Sequence, residues 1–533
     1  MKSMTRLIFL FFTLFVLLVN LFLSRIFPHI WWSFVFFAPV LTIGFTDMLQ
    51  KRHTIRRNFP IIGNFRYLME LVRPEINQYF VESNTSGTPF NRLDRSLVYQ
   101  RAKGELDTIP FGTQKNVYEV GYEWVTHSIL PKHVDPAGLR VTIGSACAKP
   151  YSTSIFNIGA MSFGSLNANA VRALNQGAKI GGFAQNTGEG GLTHYHLSGG
   201  GDLIWQIGTG YFGCRTPEGK FSSERFTEKA VLPQVKMIEL KLSQGAKPGH
   251  GGILPAAKVT KEIAQIRGVP MGQSVISPPG HSEFSTPIEL LQFTQRLREL
   301  SSGKPVGFKL CLGKPREFVA IAKAMQKTGI TPDFITVDGG EGGTGAAPLE
   351  FSNYVGFPLN EGLIFVHNIL VGFSLRHKIK IISSGKINSG FGILKHMVMG
   401  ADLCYSSRGM MLALGCIQAL SCNTNKCPTG ITTQDPRLMV GLVVAEKNKR
   451  VANFHKATIK SFAEILGAMG LESPKHLKPW HLLRRVALDQ VKDYSEIYPY
   501  LKDGDLFKEP LPPEFLRAYQ TSSAETFDVA SRV

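Results

Sequence analysis

From about Ile155 onward the chain alternates short β-branched runs with stretches of helical periodicity. Eight such runs follow one another: FNIGA, FAQNT, LIWQIG, MIELKLS, VGFKLCL, DFITVDGG, IKIISSG and DLCYSSRG. Alternation of this kind calls for parallel strands joined by crossover helices, and eight units favour closure into an α/β, (β/α)8 TIM barrel over an open doubly wound sheet. The segments between them carry helical spacing, as at Phe318, Ile321, Ala322 and Met325 or at Ile288, Leu291, Phe293 and Leu297. Many of the 53 glycines gather where the strands end, in NTGEGG, GAKPGHGG, DGGEGGTG and SSGKINSG. Those ends form the active-site face of a barrel, where glycine lets backbone amides approach a phosphate or a planar ring. Chain turning accounts for any single cluster; four at the ends of strands in one barrel point to a bound ligand.

The first fifty residues are a different material. Leu7 to Leu23 reads LIFLFFTLFVLLVNLFL, and a second apolar run extends from Ile30 to Leu49. Each approaches the ~20 residues that a helix needs to cross a bilayer core. Lys2 and Arg6 precede the first run, and Lys51, Arg52, Arg56 and Arg57 follow the second, which places both ends on the cytoplasmic side. Trp31 and Trp32 then fall where an interfacial aromatic belt is expected. A cleaved signal peptide shares the charged start and the apolar stretch, but no small-x-small site follows and a second run does. The expected organisation is a transmembrane helical hairpin over 1–50, a linker and N-terminal cap over 51–150, the barrel over 151–440 and a helical extension over 441–533.

Lys and Arg total 59 against 40 Asp and Glu, a formal charge of +19. The basic residues are scattered and no nucleic-acid motif accompanies them, so nucleic acid is not an expected partner. The seven cysteines are widely spaced except for Cys416, Cys422 and Cys427, a C-x5-C-x4-C run that resembles a metal site more than a disulfide framework. A phosphate needs amide donors and a cation, which Ser383 to Lys386 and Ser406 to Gly409, including Ser384, Gly385, Ser407 and Arg408, offer after the seventh and eighth strands. Lys309 lies within an apolar strand, a poor place for a surface lysine.

DGGEGGTGAAPLEFSNYVGFPLNEGL, GAMSFGSL, AQNTGEGG, QGAKPGHGGILP, VISPPGHSEFS and CNTNKCPTGITTQDP fall in the order, and nearly the wording, of the FMN-binding synthase domain of glutamate synthases. The resemblance covers about Ile155 to Pro436. It implies an FMN-bearing barrel that reduces 2-iminoglutarate, formed from 2-oxoglutarate and ammonia, to glutamate. By the same resemblance Ala160, Met161 and Ser162 pack along the flavin and Gln244 and Lys309 contact it. Gly342, Gly343 and Thr344 approach it by their backbone. Lys247 and Arg267 bind the substrate, and Glu189, alongside Lys247, serves catalysis. The cysteine trio matches the family's ligands to a three-iron (3Fe-4S) iron-sulfur cluster, with zinc as the alternative for a thiolate site; zinc wants a fourth ligand, and none lies in the stretch.

Three departures qualify these expectations. The glutaminase domain and the long C-terminal β-domain of the full enzymes have no counterpart, so ammonia is expected from solution or a partner. No nicotinamide fingerprint occurs, so electrons are expected from a carrier such as ferredoxin or from a reductase subunit. The family's KPGEGGQLPG reads KPGHGGILPA here: Ile253 replaces a glutamine that contacts substrate and His250 replaces a glutamate. A site built for a polar group discriminates strongly when a partner is lost, which leaves another 2-oxo acid or amine, or a flavin and iron-sulfur electron-transfer subunit, as alternatives. The expected location is the inner membrane, multi-pass, with the catalytic domain in the cytoplasm.

Overall fold

Both N-terminal apolar runs are helices, α1 (Met4–Leu23) and α2 (Phe34–Leu49), joined by a 3-10 turn over Pro28–Ser33 that carries Trp31 and Trp32. The Phe9 ring meets Phe45 edge-on at 5.4 Å between centroids and lies over Gly44, where a Cβ would collide with it. Asn20 donates to the Val16 carbonyl at 2.9 Å and accepts from the Ser33 hydroxyl, so its amide is satisfied within the hairpin. By length and composition, Met4–Leu23 and Pro28–Leu49 are each able to cross a bilayer. The chain then turns through Thr54–Asn58 into α3 (Ile62–Ile76). The structure, a computed structural model, describes residues 4–528 and divides into two compact units between Arg92 and Leu93.

In the second unit the eight quoted runs are all parallel strands. They are β1 (Phe156–Ile158), β2 (Ala184–Asn186), β3 (Asp202–Ile207), β4 (Val235–Lys241), β5 (Val306–Cys311), β6 (Phe334–Asp338), β7 (Lys380–Ser384) and β8 (Leu403–Ser406). They close into a barrel in sequential order. Helices α4 (Ala168–Gly181), α5 (Ser223–Ala230), α6 (Pro287–Leu300), α7 (Pro315–Thr328), α8 (Leu359–Gly372) and α9 (Gly390–Val398) return the chain after β1, β3, β4, β5, β6 and β7. Their boundaries follow local chemistry. Asn167 caps α4 by accepting from the Ala170 amide, Gly182 ends it in the left-handed region at φ 67°, and Thr286 with Glu289 forms a capping box on α6. Every residue of β5 and β6 is buried, as a parallel sheet covered by helices requires.

The barrel interior is polar toward its catalytic end. Glu239 of β4 accepts from Asn186 at 2.7 Å, Gln206 at 2.6 Å and Thr336 at 2.6 Å, tying β2, β3, β4 and β6 through one satisfied carboxylate. After α10 (Arg408–Leu414), the long α11 (Val444–Ala468) packs on α4 so closely that a Cβ on Gly177 would sit 2.7 Å from Val451.

The extension over 441–533, expected to be helical, also contains strands. Leu482–Arg485 and Val491–Asp493 form a hairpin that pairs antiparallel with Glu123–Val125 in a three-stranded sheet. The partner strand lies more than three hundred positions upstream in the register Glu123 to Arg484, beyond the reach of local periodicity. Residues 51–150 likewise split, with α3 in the first unit and the helix Arg92–Lys103 beginning at the boundary of the second.

Candidate active site

Four charged side chains converge on the loops at the strand ends. Glu189 follows β2, Lys241 ends β4, Lys247 lies in the next loop, and Arg267 closes the short helix Lys261–Arg267. Lys241 Nζ lies 2.8 Å from Glu189 Oε1, with the two side chains only 10% and 13% exposed. Lys247 Nζ donates to the Ala346 carbonyl at 3.1 Å, and Arg267 donates to the Phe163 carbonyl at 2.9 Å while its guanidinium lies 4.9 Å from the Phe212 ring centroid. Burial opposes charge on Glu189, but Lys241, then Lys247 and Arg267, outweigh it and hold the carboxyl below its ordinary value. Burial and the neighbouring Lys241 bring Lys247 down to about 8, and burial brings Arg267 to about 10. Three cations around one carboxylate leave a surplus of positive charge at the mouth of the barrel, as an anionic ligand requires.

Glycine makes room for this group. A Cβ on Gly208 would lie 2.7 Å from both Cβ and Oε2 of Glu189, and one on Gly252 would run into the same carboxylate. Glu189 and Lys241 line a cleft with Thr209, Ser243, Gln244 and His250. His250 turns its ring edge-on to Phe351, and the half-buried Ile253 begins a two-residue strand just beyond Gly252. Behind Lys241, His281 places Nε2 at 2.8 Å from the Lys241 carbonyl and Nδ1 at 3.0 Å from the Tyr211 hydroxyl. A carbonyl only accepts, so Nε2 carries the proton and Nδ1 accepts from Tyr211. Burial lowers His281 to about 4, which keeps it neutral.

Lys309 Nζ lies 3.0 Å from Asp338 Oδ2, which also accepts from the Gly245 amide at 2.9 Å. Burial opposes the charge on Lys309, but Asp338 and Glu239 raise it above its ordinary value. Ser384 ends β7 with Gly385 and Lys386 following it, and Ser407 and Arg408 follow β8. Arg408 donates to the Glu341 carbonyl at 3.1 Å and lies against Gly343, where a Cβ would be 2.9 Å from its guanidinium carbon. Burial and the Arg408 charge lower Lys386, and burial lowers Arg408; two adjacent cations at strand ends suit a phosphate. Ala160, Met161 and Ser162 are half-buried at the end of β1, and a Cβ on Gly188 would lie 2.7 Å from the Met161 carbonyl carbon. Gly342 packs its Cα 3.2 Å from the position of a Cβ on Gly245, and Gly343 and Thr344 are exposed.

Cys416, Cys422 and Cys427 line one small pocket with Met411, Leu420 and Thr432, and all are free thiols. A Cβ on Gly345 would lie 3.6 Å from Cys422 Cβ, so the pocket adjoins the glycine loop after β6. Burial pushes Cys416 up to about 11; burial also opposes a Cys427 thiolate, but hydrogen bonds from Thr429 and Thr432 hold that thiol at about 7. Among the described residues no three His, Cys, Asp or Glu side chains are drawn into a metal-holding group. The donor type fits an iron-sulfur cluster and the trio shares a pocket, while the side chains stand apart. Lys241, His281, Tyr211 and Glu239 were not singled out in the sequence, although Lys241 sits in an apolar strand as Lys309 does and alternates with Glu239 at the strand period.

Residues 134–472 match the family described as the conserved region in glutamate synthase. The chain is 38% identical over 481 residues to the glutamate synthase large subunit-like protein YerD of Bacillus subtilis, covering 82% of this chain and 91% of that one. It is 34% identical over 365 residues to the archaeal glutamate synthase [NADPH] of Methanocaldococcus jannaschii, 68% of each chain. Against the ferredoxin-dependent glutamate synthase 2 of Synechocystis it is 33% identical, over 53% of this chain and 19% of that one. A closed eight-stranded barrel with this charged mouth, matched along its length, places the chain in the glutamate synthase family as an oxidoreductase of glutamate synthase type.

Proposed function

We propose that the protein binds FMN at the barrel mouth and reduces 2-iminoglutarate, formed from 2-oxoglutarate and ammonia, to glutamate. The observation that carries this reading is the cluster of Lys241, Lys247 and Arg267 around Glu189, whose surplus positive charge suits a dicarboxylate. Lys247 and Arg267 hold the two carboxylates. Lys241 keeps Glu189 ionised and oriented, and Glu189 in turn orients the imine or moves a proton at its nitrogen. Bound FMN supplies the hydride equivalent for the imine carbon. Lys386 and Arg408, with Ser384, Gly385 and Ser407, hold its phosphate. Ala160, Met161, Ser162 and Gln244 lie along its ring system, with the backbone of Gly342, Gly343 and Thr344 close by, and Lys309 stabilises negative charge on the reduced ring. Cys416, Cys422 and Cys427 hold a 3Fe-4S cluster, fed by an electron donor such as ferredoxin or a reductase subunit. Helices α1 and α2 anchor the chain in the inner membrane with the barrel in the cytoplasm.

Anaerobic purification followed by flavin extraction, iron analysis and electron paramagnetic resonance tests the cofactor assignments. One FMN per chain and a three-iron signal are expected; a chain without flavin contradicts the reading. Ile253, in the loop whose Gly252 abuts Glu189, favours a second reading in which the same chemistry acts on another 2-oxo acid or an alkylamine. A panel of 2-oxo acids and amines offered to the reduced protein separates the two.

A further inference from the structure

The segment after the hairpin carries a feature that the barrel chemistry does not use. Helix α3 (Ile62–Ile76) places Ile62, Phe65, Met69, Val72 and Ile76 at spacings of three and four, one continuous apolar stripe. Ile62 is 72% exposed and Phe65 62%. Arg66 and Arg73, each four residues after an apolar position, flank the stripe on one edge with Glu70 farther round, and the exposed Leu68 and Leu71 widen it on the other edge. A stripe of this width in a water-soluble unit is normally buried against a neighbour.

The start of α3 is fixed to one end of the hairpin. Asp47, near the end of α2, accepts from the Ile61 amide at 3.0 Å and from Asn64. The Thr5 hydroxyl donates to the Asn58 carbonyl at 2.6 Å, bringing the start of α1 to the same place. The Arg56 guanidinium stacks 4.4 Å from the Tyr67 ring centroid, so the polar side of α3 faces the basic turn. That turn holds Lys51, Arg52, Arg56 and Arg57. The apolar stripe therefore starts where the hairpin ends, beside a cationic cluster.

We infer that α3 lies in the plane of the membrane, its apolar stripe sunk into the headgroup–acyl boundary of an anionic leaflet. This inference rests on the reading of α1 and α2 as a membrane hairpin. A broad apolar face edged by cations and continuity with the spans are the features of an interfacial helix, and a basic cluster selects anionic over zwitterionic headgroups.

The test uses the full-length chain in vesicles of phosphatidylcholine containing phosphatidylglycerol, with a benzophenone side chain placed singly at Phe15, Phe65 or Glu70. Illumination is expected to give phospholipid adducts at Phe15 and Phe65, with yield at Phe65 several-fold above that at Glu70. Omitting phosphatidylglycerol is expected to lower the yield at Phe65 and leave Phe15 unchanged. Lipid adducts at Phe15 with none at Phe65, or with only protein adducts at Phe65 from a second copy or the chain's other unit, overturn the inference while leaving the hairpin standing. Equal yields at Phe65 in neutral vesicles overturn the choice of an anionic leaflet. No lipid adduct at Phe15 removes the hairpin itself, and the inference with it.

Discussion

Replacing Glu189 by Gln keeps the shape of the side chain and deletes its charge. Lys241 Nζ, 2.8 Å from the carboxylate, then faces Lys247 and Arg267 with no counter-charge. Breaking a buried ion pair by removing one partner costs about 3–5 kcal/mol. Here the amide oxygen still accepts from Lys241, so the loss falls nearer the ~1.5–3 kcal/mol of a charged hydrogen bond. Urea unfolding of the Glu189→Gln protein should show a lowered midpoint at unchanged slope. The pH dependence carries the sign. The Glu189 carboxyl is held below its ordinary 4.5 in the folded protein, so its stabilisation is present at neutral pH and lost as pH falls through the folded value. The gap between variant and parent should therefore be widest near neutrality and close in acid. Added 2-oxoglutarate, a dianion, should narrow the gap at neutral pH by restoring counter-charge. Equal stabilities at neutral pH, or a gap that persists unchanged in acid, would refute the counter-ion role.

Other substitutions separate the parts of the site. Arg408→Leu should weaken FMN binding, read by fluorescence titration of the apoprotein, by roughly tenfold or more if it removes a charge-assisted contact of about 1.5–3 kcal/mol; unchanged affinity would place the phosphate elsewhere. Gly208→Ala should displace Glu189, whose atoms lie 2.7 Å from the new Cβ, and lower kcat while flavin absorbance per chain stays constant. Cys422→Ser should abolish the paramagnetic cluster signal and leave flavin bound; loss of both would assign the cysteine loop to folding.

How far the sequence disclosed this molecule depends on the range of the interactions involved. The eight strands were legible because each is a short apolar run bounded by its own turns, and α6 and α7 because the apolar spacing of Ile288, Leu291, Phe293 and Leu297 and of Phe318, Ile321, Ala322 and Met325 is a local signal. The pairing of Glu123–Val125 with Leu482–Arg485 was not legible, because its register is set by contacts far apart in the chain. The same contrast holds in the site. Glu189, Lys247 and Arg267 stood out through their motifs, but Lys241 and His281 acquire a role only once β4 and the His281 loop are brought together at 2.8 Å. Helix α3 reads as part of a linker, although its stripe has helical spacing, because the polar residues between its apolar positions keep the composition of that segment mixed.

The most direct test offers the anaerobically reduced protein 2-oxoglutarate and 15N-ammonium and follows flavin absorbance and 15N-glutamate together. Flavin reoxidation accompanied by an equal amount of 15N-glutamate is the expected result. Reoxidation without any amino acid, across 2-oxoglutarate and the wider panel of 2-oxo acids, would contradict a site built for imine reduction.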